Sequence, residues 1–242
     1  MPQVTFVNQN LTVEIPAGSN LLDAARRAEL YVPAPCGGNG TCGKCRMRIS
    51  SNPTPVTPAD SAAFTERELA DGWRLACRAV LLNQNVTVEY TDGHMGEVIL
   101  TEAAGMVRCT SRDAAPAGRL GLAVDLGTTT IAATLFDLAG GNALGRAACG
   151  NPQAIFGADV IARIDYASKS TANLRHLQRR AVGAISALAD KLLAANNLPK
   201  KNLATVLVGG NTTMQHMLLG VDPSGIAVAP FTPAFTNPRE ES

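Results

Sequence analysis

Cys36, Cys42 and Cys45 stand in the pattern C-x5-C-x2-C, and a fourth cysteine follows after 31 intervening residues, inside Leu75-Ala-Cys77-Arg78. A fold that uses them must bring one glycine-rich loop and one distant strand to a common point. A 2Fe-2S rhomb needs two thiolates on each iron, and three ligands from a loop with one from a remote strand supply them. The plant-type spacing has four residues in the first gap; here there are five, so the loop is one residue longer. Gly37, Gly38, Gly40 and Gly43 let such a loop wrap closely, with backbone N–H groups near the sulfurs, where they favour the reduced state. Asn39 and Thr41 are further candidate donors. A structural zinc site is the competing reading. It calls for two close ligand pairs, and only Cys42 and Cys45 form one. Cys109 and Cys149 fall outside the pattern and read as ordinary reduced thiols, and His94, His176 and His216 have no partner at ligand spacing.

Around the loop, Val4–Phe6 and Leu11–Ile15 alternate like a hairpin, and Leu21–Leu30 carries a helical period capped by Ser19 or Asn20. Arg46–Ile49, Trp73–Val80 and Asn85–Tyr90 are expected strands, with a short helix over Phe64–Leu69. This is a small α+β domain, residues 1–95. Glycine, proline and serine breaks make 96–119 a linker.

The pattern changes at Leu120. Gly121–Asp125 is a buried-strand run ending in a carboxylate, Leu126–Thr130 a tight turn and Ile131–Leu138 a second strand. A helix over Asn173–Leu198, a strand over Leu203–Val208 and a further helix opened by Gly209-Gly-Asn-Thr-Thr213 complete an α/β signature over 120–242. Gly127, Thr128 and Thr129 can receive phosphate oxygens while Asp125 organises a hydrated magnesium ion; equally, Asp125 can simply cap the turn. Gly210 and Asn211 are either a second anion element or a helix cap. Arg175, Arg179 and Arg180 share a helix face and read as solvated.

At 242 residues and a net charge of +1, with 8 basic against 10 acidic residues before residue 101 and 13 against 10 after it, neither half suits nucleic acid. No apolar run reaches membrane-spanning length and the N-terminus lacks a signal-peptide pattern, so a cytoplasmic location with no membrane partner is expected.

Four segments in order carry a resemblance: Cys36-Gly-Gly-Asn-Gly-Thr-Cys-Gly-Lys-Cys45 with Cys77, Asp125-Leu-Gly-Thr-Thr129, Asn151–Ile164 and Gly210-Asn-Thr-Thr-Met214. Together they resemble the ferredoxin-like reductive activators of corrinoid-dependent enzymes. The resemblance implies a β-grasp 2Fe-2S domain, a linker and a partial actin-like (ribonuclease H-like) ATPase domain. It also implies Cys36, Cys42, Cys45 and Cys77 as ligands, with Asp125, Gly127, Thr128 and Thr129 as the first phosphate element. Family members reduce the cob(II)alamin of a corrinoid protein in a methyltransferase system to cob(I)alamin, taking electrons from a reductase or ferredoxin, with ATP and Mg2+ assisting. The second actin-like half would lie beyond Ser242, so the chain is expected to be an N-terminal portion whose ATPase activity needs the missing half. The alternative is a plain 2Fe-2S carrier whose second domain serves docking or homodimerisation.

Overall fold

The computed structural model describes residues 1–90 and 117–240. Most of the expected linker, His94 and Cys109 lie outside them. The chain divides into two compact units.

In the first unit β1 (Gln3–Phe6) and β2 (Leu11–Glu14) form the expected hairpin, paired from Gln3↔Glu14 to Phe6↔Leu11. Helix α1 (Leu21–Arg27) starts at Asn20, whose side chain accepts the Asp23 N–H, and buries Leu21, Leu22, Ala24 and Ala25. It stops a turn earlier than its apolar period suggests, because Glu29 takes a left-handed φ of 61°. β3 (Arg46–Ser51), α2 (Pro58–Ala63), α3 (Glu66–Ala70), β4 (Trp73–Leu75) and β5 (Val86–Glu89) follow. The sheet order β2-β1-β5-β3-β4, parallel only between β1 and β5, is a β-grasp arrangement. Val4, Phe6, Met47, Ile49, Leu75 and Val88 alternate inward onto α1 and are essentially fully buried. Each contributes about 1.5–3 kcal/mol by leaving water.

The strand expected over Trp73–Val80 ends at Leu75. Beyond it the N–H groups of Arg78 and Ala79 both donate to the Leu75 carbonyl, at 2.8 and 3.1 Å, closing a turn that contains Cys77. The proline-rich segment after β3 holds α2, and both α2 and α3 begin with capping boxes, Thr57 with Asp60 and Thr65 with Glu68.

In the second unit β6 (Leu120–Leu126), β7 (Thr130–Asp137), β8 (Asn142–Gly150) and β9 (Leu203–Gly210) form one sheet in the order β8-β7-β6-β9. The first three run antiparallel and β9 lies parallel to β6. That is the ribonuclease H-like order, with a parallel neighbour reached through a crossover of helices. Those helices are α4 (Val160–Ser168), capped by Asp159, and α5 (Thr171–Ala195), capped by Ser170. α5 buries Leu174, Leu177, Ala181, Ile185, Leu188 and Leu192 at helical intervals and packs on β7 and β8. α6 (Thr212–Leu219) and the short α7 (Ser224–Ala227) follow β9. β9 is an outer strand among the described residues, with Leu207 73% exposed.

Candidate functional site

The cysteine loop is shaped by backbone conformation. Gly37, Gly38, Gly40 and Gly43 all take positive φ, between 66° and 99°, which residues with a Cβ adopt only at a cost. The loop therefore turns repeatedly without long side chains to fill its interior. It is stitched to the Cys77 turn by the Ala76 N–H donating to the Cys45 carbonyl at 2.7 Å, and that turn is held to α1 by the Leu22 N–H donating to the Ala76 carbonyl at 3.1 Å. Asp60, wholly buried, supports the same strand: one carboxylate oxygen accepts the Leu75 N–H at 2.7 Å and the other accepts from the N–H and hydroxyl of Thr57.

The thiols pair two and two, Cys45 with Cys77 and Cys36 with Cys42. The Cys45 and Cys77 sulfurs lie 3.5 Å apart and are buried. Burial pushes the Cys36 thiol up, but the backbone and thiol of Cys42 and the backbone N–H groups of Thr41 and Gly38 outweigh it and bring it down to about 6. The Cys77 thiol donating to it lowers Cys45 to about 7, against burial and the nearby Cys36. Cys77 is correspondingly pushed up, first as that donor, then by burial and by the charges of Cys45 and Cys36; the Arg78 charge pulls the other way. Two thiolates on one tetrahedral metal with bonds of ~2.3 Å sit about 3.7 Å apart, close to the Cys45–Cys77 separation. Among the described residues no three His, Cys, Asp or Glu side chains gather as a single-ion site. Two pairs of sulfurs, ringed by backbone N–H donors, fit a two-iron centre.

In the second unit the turn is shaped by side chains. Gly127 N–H donates to the Thr130 carbonyl at 2.9 Å, so close that a Cβ on Gly127 would come within 2.6 Å of the same oxygen. Three successive carbonyls are tied to inward donors: Gly127 to Asn151 Nδ2 at 2.8 Å, Thr128 to Arg163 Nη2 at 2.6 Å and Thr129 to the Asn151 N–H at 2.7 Å. Arg163 and Asn151 are both fully buried. In a trans peptide N–H and C=O point in opposite directions, so this bracing turns the N–H groups of Thr128 and Thr129 away from the buried donors. Asp125, exposed at the end of β6, sits in register with Gly209, and Leu126 with Gly210. Asn211 caps α6 by accepting the Met214 N–H at 3.0 Å, and its Nδ2 donates to Thr128 Oγ1 at 3.1 Å. The two sequence elements thus meet, and the cap reading of Asn211 is realised within that contact.

Arg163 and Gln153 are the members that sequence reasoning missed. Gln153 donates to the Leu177 carbonyl at 3.0 Å, and Arg163 Nη1 lies 3.3 Å from Met214 Sδ. An arginine among mixed residues looks solvated; only the fold buries it. His216 proves to be a core histidine, its Nδ1 bonded to the Thr212 carbonyl and its Nε2 accepting the Ala234 N–H. Cys149 is half-buried, its thiol pushed up by burial. Arg175 and Arg179 are exposed as expected.

A β-grasp unit presenting paired thiols, followed by a ribonuclease H-like unit with an acidic turn, defines an iron-sulfur protein with an actin-like second fold. Residues 4–82 match the family of the 2Fe-2S iron-sulfur cluster binding domain and residues 120–242 the family described as RACo middle region. The chain belongs to the RACo family. Among similar proteins, a component of the Na(+)-translocating NADH-quinone reductase of Methylococcus capsulatus is 37% identical over 83 residues, 34% of this chain and 20% of that protein. The corrinoid activation enzyme RamQ of Eubacterium limosum is 31% identical over 111 residues, 46% of this chain and 19% of that protein. The chain thus spans about a fifth of the length of these relatives. A solved reductive activator for corrinoid, iron-sulfur protein aligns over 97% of this chain and 51% of its own, at 24% identity and a TM-score of 0.48. No helix among the described residues is long and apolar enough to cross a membrane.

Proposed function

We propose that the chain is the electron-delivering part of a reductive activator, in which Cys36, Cys42, Cys45 and Cys77 hold a 2Fe-2S cluster that passes single electrons to a corrinoid protein of a methyltransferase system. The cluster supplies a one-electron carrier; the chain holds it, excludes water from its Cys45–Cys77 side and directs N–H groups at Cys36. The electron comes from a reductase or ferredoxin, and the product is cob(I)alamin from cob(II)alamin. The domain limits we assign are 1–95, 96–119 and 120–242, with action in the cytoplasm. The pairing of four thiols in one chain with the acidic turn of a RACo middle region supports this reading most strongly.

Cob(II)alamin reduction is uphill for an ordinary ferredoxin, and the second unit has the parts of a phosphate site that couples ATP to it. In this reading Asp125 holds a hydrated Mg2+, the outward N–H groups and hydroxyls of Thr128 and Thr129 receive phosphate, and Gly210 and Asn211 close the site. The test is anaerobic: reconstituted protein, a strong reductant and a cob(II)alamin-loaded corrinoid protein, with and without MgATP. Loss of the cob(II)alamin paramagnetic signal is the expected outcome. No loss under either condition contradicts the proposal.

The similarity of the first unit to part of a quinone reductase favours one second reading, a plain 2Fe-2S carrier whose second unit serves docking or homodimerisation. Calorimetry separates the two, since that carrier binds neither ATP nor ADP.

A further inference from the structure

The stretches that carry the four thiols, residues 30–59 and 72–88, contain no aspartate or glutamate and five basic residues. Three of the five are engaged. Arg46 pairs with Glu68 and stacks on Phe64, Arg48 pairs with Glu89, and buried Arg74 donates to the carbonyls of Thr54, Leu69 and Trp73. The remaining two, Lys44 and Arg78, are exposed, make no ion pair among the described residues, and each adjoins a buried thiol in sequence: Lys44 precedes Cys45 and Arg78 follows Cys77. Arg78 is also fixed in place. Its guanidinium donates to the Asn39 carbonyl and lies against Gly40, where an added Cβ would come within 2.9 Å of the Arg78 Cζ. The glycine thus leaves room for a cation laid across the cysteine loop, and the loop offers that cation a carbonyl.

We propose that Lys44 and Arg78 form a basic rim at the cluster loop that docks an acidic surface on the electron-transfer partner. The inference rests on the cluster assignment above and adds the chemistry of the partner. Unscreened charges at the point of electron entry and exit steer an oppositely charged partner into contact, and such steering changes association rates by about 10- to 1,000-fold. A cation laid across the cysteine loop also favours the more negative, reduced cluster.

Small redox ions test the rim without any natural partner. The reduced, cluster-loaded chain is oxidised in stopped flow by an anionic complex, iron(III)-EDTA, and by a cationic one, hexaamminecobalt(III). Ionic strength is varied from roughly 0.01 to 1 M, over which screening shortens from about 30 to 3 Å. The reduced cluster on four thiolates carries three negative charges of its own, so the rim is read from the change on substitution: Lys44→Glu with Arg78→Glu slows the anion at low salt by about tenfold or more, speeds the cation, and shifts the two salt slopes in opposite directions. Rates and slopes unmoved by the double substitution, or moved the other way, overturn the rim. If the double variant loads no cluster, Lys44→Glu alone still slows the anion at low salt, since that side chain is exposed; a rate it leaves untouched counts against the proposal. As a second readout, Arg78→Gln lowers the cluster midpoint potential in a paramagnetic-resonance redox titration, and an unchanged or raised potential counts against Arg78 as the fixed cation. A chain that reduces no corrinoid protein yet shows these slopes contradicts the function proposed above and supports the acidic-partner surface.

Discussion

The two units build their candidate sites by opposite means. In the first, the conformation of the backbone places the chemistry: four positive-φ glycines bend the loop, and the thiols themselves are the proposed ligands. In the second, the carboxylate proposed to hold magnesium, Asp125, is exposed, and side chains buried beneath the turn, Arg163 and Asn151, set the direction of its peptide groups. A backbone-built loop tolerates little change at its own residues and leans little on distant ones. A braced turn tolerates change on its surface and fails when its hidden supports are removed.

That contrast can be broken by substitution. The largest effect falls on the cluster: Cys77→Ser removes a buried thiol proposed as a ligand and leaves no visible absorption after anaerobic reconstitution, while nucleotide calorimetry of the second unit is unchanged. Loss of both signals contradicts independent sites. Next comes Arg163→Met, which leaves the Thr128 carbonyl without its charged donor and destabilises the second unit by about 3 kcal/mol, read from urea melting followed by far-ultraviolet circular dichroism. The cluster spectrum persists in this variant; a melt that does not move means that the brace is not what holds the turn.

Asp60→Ala tests a place where the first unit also relies on a buried support. It removes the acceptor of the Leu75 N–H and a capping box, costing about 2 kcal/mol by the same melting measurement, with the cluster lost at lower temperature than in the natural chain. The smallest structural effect belongs to Asp125→Asn. Stability stays within about 0.5 kcal/mol, while any MgATP enhancement of corrinoid reduction disappears. An enhancement that survives removes Asp125 from the proposed magnesium site.

Legibility in the sequence followed the same division. The ligand loop could be read because cysteine and glycine have few alternative uses at that density, and Asp125 because a strand run ends on it. The hairpin, α1 and β9 followed their hydrophobic periods. β8 did not, since Asn142–Gly150 is mostly small residues without alternation and becomes a strand through pairing with β7. α2 carried a readable signal in Thr57-Pro-Ala-Asp60, a capping-box pattern hidden by its prolines. The strand expected through Cys77 ended early because tertiary contacts curl that segment into a turn, which a period-2 pattern cannot distinguish from continued extension. Arg163 was illegible for a different reason: its Nη2 donates to a backbone carbonyl 35 residues away, and a carbonyl leaves no mark in a sequence.

The proposed electron transfer requires that the paired thiols hold two irons. The direct measurement is iron, sulfide and zinc content of anaerobically purified protein, joined to its paramagnetic-resonance spectrum before and after reduction. About two iron and two sulfide per chain, silent when oxidised and paramagnetic when reduced, is the predicted result. One zinc per chain, no sulfide and no signal in either state would contradict it.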